Sequence, residues 1–74
     1  MTPAQCRAAR ALIEMSEAKL AHVAVVPITV IRDFEVGARV AFRQADLDAI
    51  REALERAGVE FVNDVGVKLG KVRK

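Results

Sequence analysis

The sequence has no tryptophan and no tyrosine, and it has one cysteine, one histidine and one serine in 74 residues. Each scarcity removes a class of function. Cys6 alone cannot make a disulfide framework, and Cys6 with His22 cannot supply a zinc set. Ser16 reads as a helix cap and Cys6 lies on an apolar stripe with no base to activate it, so nucleophilic catalysis lacks its parts. His22, on the second helix, reads as a surface or interhelix contact rather than a ligand. Four glycines are scattered, and none builds a phosphate-binding loop. No enzymatic activity, metal or cofactor is expected. There is no basic segment followed by a long apolar run at the amino terminus, and no apolar stretch approaches the roughly 18 residues of a membrane span. A reducing, cytoplasmic setting without membrane attachment is the expectation.

What is present is aliphatic: 53% of residues are hydrophobic and 4% aromatic, so Ala, Val, Leu, Ile and three Phe must form the core. At this length one small domain is expected, and such a domain is often helped by dimerisation. The net charge is +2, unevenly spread. Residues 1–43 carry six basic and four acidic side chains, 44–65 two and six, and 66–74 four and none. An acidic middle between basic ends implies one face that avoids polyanions and another that meets them.

Helix signals recur along the chain. Thr2, Pro3 and Gln5 form a cap, a first-turn proline and a capping box, followed by the stripe Cys6, Ala9, Leu12 and Ile13. Ser16 caps a short second helix with Glu17 in its first turn and Leu20 and Ala24 inward. A third helix is expected from Pro27, ending at Gly37. Its four β-branched residues Ile28, Thr29, Val30 and Ile31 are reluctant helix formers. Val26, Val30, Ile31 and Phe34 nevertheless share one side, and burying such side chains, at roughly 1.5–3 kcal/mol each, exceeds a propensity deficit of at most about 0.7 kcal/mol per residue. Residues 38–43 read as a loop with two arginines, and a fourth helix runs through Leu47, Ile50, Leu54 and Ala57 to Gly58. Then the period changes to two: Val59 and Phe61, a turn at "NDVG", then Val67 and Leu69 predict a hairpin. The expected architecture is mainly α, four helices over 1–58 and a short C-terminal β-hairpin or strand with a basic tail over 59–74.

Two short helices joined by a tight turn are the helix-turn-helix arrangement. The stretches "CRAARALIEMSEAKLAHVA" and "VIRDFEVG", framed by "TPAQCRAAR" and "AIREALERAGVEF", resemble the phage-repressor and Cro-like helix-turn-helix family, often called XRE-like. The likeness covers about residues 3–58. It implies a four-helix lambda-repressor-like domain with helix 27–36 as the recognition helix, helix two across the phosphates, and an ion pair between Arg10 and Glu35. Three positions depart from the family pattern. Val25 stands where a turn glycine is usual, which requires a β-branched residue at positive φ or a remodelled turn. Glu17 replaces a Gln near the phosphates, and Pro27 replaces a capping Ser.

On the exposed side of helix three the expected positions are Ile28, Thr29, Arg32, Asp33 and Val36. Arg32 suits a guanine edge or a phosphate, while Ile28 and the Thr29 methyl suit thymine methyl groups. Arg39 and Arg43, in the following loop, suit backbone positioning. The expected function is a transcriptional regulator that binds double-stranded DNA at a pseudo-palindromic operator as a homodimer, joined through Val59, Phe61, Val67 and Leu69. The alternative is a helix-turn-helix module that sequesters a protein partner, in the manner of an antiactivator or antitoxin, through Ile28, Val36 and nearby apolar residues.

Overall fold

The computed structural model describes residues 1–70 and has four helices followed by a two-stranded antiparallel sheet: α1 Pro3–Leu12, α2 Glu17–Ala24, α3 Ile28–Glu35, α4 Gln44–Arg56, β1 Val59–Val62 and β2 Gly66–Leu69. The basic tail begins inside this range at Lys68, but its Lys71, Val72, Arg73 and Lys74 lie outside the described residues. No helix among the described residues is long and apolar enough to cross a membrane.

The helix starts follow local chemistry. At α1 the Gln5 N–H donates to Thr2 Oγ1 at 3.1 Å and the Thr2 N–H donates to Gln5 Oε1 at 2.8 Å, a reciprocal capping box. Ser16 Oγ accepts from the Lys19 N–H at 3.0 Å and opens α2. Pro27 is the N-cap of α3, at φ −62° and ψ 142°, so the helix begins one residue later than expected, at Ile28. Proline sets the extended approach to the helix without supplying a side-chain acceptor.

Helices α1, α2 and α3 end alike. The chain enters the left-handed region at Glu14, Val25 and Gly37, and the residue after each donates back across the last turn: Met15 to the Arg10 carbonyl, Val26 to Ala21, and Ala38 to Asp33. These are Schellman closures. Glycine meets the requirement freely at Gly37. At Val25, with φ 59° and ψ 49°, a β-branched residue takes the same conformation while 87% exposed. No packing offsets a strain of about 1–2 kcal/mol there. What holds the turn is its consequence: Val26 is delivered into the core, 8% exposed.

The core contains Cys6, Ala9, Leu20, Ala21, Ala24, Val26, Ile31, Phe34, Ile50, Ala53, Leu54 and Val59. Small residues let α2 pack on both α3 and α4. In α1 the buried residues are Gln5, Cys6 and Ala9, with Ile13 partly buried, whereas Leu12 is 40% exposed, a correction to the expected stripe. Gln5 and Leu12 lie two turns apart on nearly one side. The hairpin covers the first and leaves the second.

In the hairpin, Val59 faces Leu69 and Phe61 faces Val67, so these four side chains share one side of the sheet. β1 packs on α4 and β2 on α1. A two-stranded sheet is marginal alone, and this one is tied to the helices at three places. Val59 is 2% exposed in the chain's own core. The Gln5 Nε2 donates to the carbonyls of Asn63 at 3.3 Å and Gly66 at 3.1 Å. The Arg51 guanidinium lies 4.8 Å from the centre of the Phe61 ring, a cation–π contact.

Candidate nucleic-acid interface

The placement of α3 starts with its last residue. Glu35 is 2% exposed, a burial that an isolated carboxylate would not tolerate. Arg10 Nε donates to Glu35 Oε2 at 2.7 Å and Nη2 to Oε1 at 2.6 Å, a bidentate fork, while its Nη1 donates to the Met15 carbonyl at 3.0 Å. The Cys6 thiol adds a hydrogen bond to Oε2 at 3.1 Å, and Arg7 Nη1 donates to the Glu35 carbonyl. Three side chains within about one turn of α1 thus grip one residue of α3. Arg10 also ties the α1–α2 corner to it.

The titration of this cluster follows from its geometry. Burial pushes the Glu35 carboxyl upward, but the hydrogen bonds from Arg10 and Cys6 and the Arg10 charge outweigh it and hold the group below the usual glutamate range. Hydrogen bonding to Glu35 raises Arg10, against an opposing effect of burial. Burial first, then the hydrogen bond to Glu35, raises the Cys6 thiol far above its ordinary range, so it keeps the proton it donates to Glu35.

Helical spacing places Thr29, Arg32, Asp33 and Val36 on one side of α3, and all four are exposed. Ile28 falls about 100° away from Thr29, beside Ile31, and is half-buried against the core. Its expected place on the outer face is therefore corrected: only part of the side chain meets solvent. Val36, at the end of α3, is 77% exposed. Arg32 does not stand free, because its Nε donates to Glu17 Oε1 at 3.4 Å across the α2–α3 boundary.

The loop between α3 and α4 is anchored by Phe42, whose ring meets Phe34 edge-on at 5.5 Å between centres and 89° between planes. This contact holds Arg39 and Arg43 near the end of α3. Arg39 is exposed. Arg43 is the N-cap of α4 as well as a loop residue, and its side chain, 80% exposed, pairs with Asp46 at 3.2 Å. The hydrogen bond to Asp46 raises the Arg43 group above its ordinary value.

The four residues expected to join two chains do not form one free surface. Val59 is enclosed by its own chain and so is corrected as a dimer contact, Phe61 and Val67 are partly buried against the helices, and Leu69 is 58% exposed. Val65, at the hairpin turn, is 84% exposed.

Sequence reasoning misses the roles of Gln5, Cys6 and Arg7. Gln5 is readable only as a capping-box residue, and nothing local announces that its amide also reaches a turn 58 residues away. The pairing of Glu17 with Arg32 escapes for the same reason. Among the described residues, no three His, Cys, Asp or Glu side chains gather as a metal site would. Compared with known proteins, the sequence matches no family model, and no curated protein is significantly similar to it.

Proposed function

We propose that this chain is a sequence-specific, DNA-binding transcriptional regulator of the helix-turn-helix type, with the helix at residues 27–36 entering the major groove. The observation that carries the reading is the fixed presentation of α3: a buried grip on Glu35 from α1 leaves Thr29, Arg32, Asp33 and Val36 facing outward from a helix of eight residues. Arg32 reads a guanine edge, the Thr29 methyl group meets thymine, and Arg39 and Arg43 position the backbone. The partly exposed edge of Ile28 adds an apolar contact.

A domain this small contributes few base contacts, so two copies on half-sites about one DNA turn apart complete the reading. Val62, Val65 and Leu69 are the large apolar hairpin residues open to a second chain. The test is a salt-dependent binding assay against the DNA flanking the protein's own gene, with sedimentation in parallel. A preferred duplex whose affinity falls steeply with salt supports the reading. Equal, weak binding to every duplex rejects it.

The second reading, capture of a protein partner through the same face, is favoured by the exposure of Val36 at 77% and Val40 at 52%. Apolar residues of this kind at the end of α3 and in the loop after it suit a protein surface as well as a groove.

A further inference from the structure

Glu17 opens α2, Arg32 lies on α3, and their side chains meet at the margin of the outward face. The contact is long, 3.4 Å from Arg32 Nε to Glu17 Oε1, and the side chains are 60% and 32% exposed. It engages one of five guanidinium donors. The Glu17 charge also acts on Arg10, in the buried grip. A negative charge at the first residue of a helix is favoured by the helix dipole, which keeps it in place.

We infer that Glu17 is a specificity-determining residue of the DNA site, occupying Arg32 in the free protein and discriminating between the two things Arg32 can meet on DNA. The inference rests on the DNA-binding reading. A phosphate brings its own negative charge to within a Debye length of Glu17 and is repelled as it approaches Arg32. A guanine edge is neutral and offers two acceptors, O6 and N7, in place of the single long contact. Exchange of Glu17 for guanine is therefore favourable where exchange for phosphate is not. Non-specific binding, which is almost wholly phosphate attraction, is suppressed more than cognate binding.

The experiment uses the full chain, a cognate duplex selected from a random pool by the wild type, and a shuffled duplex of the same composition, titrated over a range of salt. Glu17→Gln removes the charge. It is expected to raise affinity for the shuffled duplex by about fivefold and for the cognate by less than about twofold, with a steeper salt dependence on the shuffled one. Glu17→Asp keeps the charge at the helix start but shortens the reach to Arg32, and is expected to show intermediate discrimination. It also serves where Glu17→Gln does not fold. Equal gains on both duplexes, or wild-type discrimination in the variants, overturn the inference and leave DNA binding standing. Failure of every form, wild type included, to prefer any duplex overturns the DNA reading and this inference with it.

Discussion

Two arginine–glutamate pairs end on α3, and they have opposite characters. Arg10 and Glu35 meet at 2.6 Å with side chains 19% and 3% exposed, whereas Arg32 and Glu17 meet at 3.4 Å with side chains 60% and 32% exposed. Removing charges from water offsets much of the attraction in the first pair, so its worth lies in fixing where α3 stands relative to α1. The second pair, screened by solvent, contributes at most about 1 kcal/mol. A pair that cannot be exchanged sets geometry, and a pair that is cheap to exchange is available to a ligand.

The largest effect should come from breaking the buried pair. Arg10→Ala leaves Glu35 buried without its counterion and should cost about 3 kcal/mol, read as a lower urea midpoint. Arg10→Met combined with Glu35→Leu should recover most of that loss, since packing replaces two charges. A loss below about 1 kcal/mol in the single variant would remove the pair from its structural role.

Arg32→Ala should do the reverse. Stability should change by no more than about 0.5 kcal/mol, while affinity for the cognate duplex falls by about 1–3 kcal/mol and selectivity relaxes at one base position. A stability loss as large as that of Arg10→Ala would erase the distinction between the pairs.

Acid should separate them as well. The folded Glu35 carboxyl titrates below its ordinary value. Its stabilisation is therefore complete above the unfolded value and is lost as the pH falls through the lowered one. Glu35→Gln should flatten that acid limb of the stability profile. An unchanged limb would assign acid unfolding to other carboxylates.

Smaller effects test the elements that carry the pairs. Val25→Gly should raise stability by about 0.5–1 kcal/mol, because relief of left-handed strain exceeds the added entropy of the unfolded chain. Destabilisation would show that the valine side chain makes a contact that matters. Arg43→Ala, at the start of α4, should weaken all duplexes nearly uniformly and reduce the salt slope by about one ion per chain. Base-selective loss would instead place Arg43 in the groove.

Much of the helical layout is legible in short-range chemistry. Thr2, Pro3 and Gln5 announce α1, Ser16 announces α2, Gly37 and Gly58 mark stops, and the change to period two after Gly58 announces the hairpin. These signals act within one turn of chain, so they survive without knowledge of the fold. The α3 start differs by one residue because Pro27 suits both the cap and the first helical position. Leu12 misleads because a stripe on a helix is buried only where a neighbour reaches it, and the hairpin stops short. Val59 reads as a partner contact because alternation identifies the apolar side of a strand without saying which chain covers it.

By itself the sequence determined four helices, the side-chain caps of α1 and α2 and a hairpin, since each rests on contacts between residues near one another in the chain. Only the tertiary structure decided that Gln5 holds the hairpin turn, that Cys6 and Arg7 join Arg10 on Glu35, and that Arg32 is occupied by Glu17. Those contacts span 15 to 61 residues. Their partners are chosen by how the helices pack, and no local pattern encodes that choice.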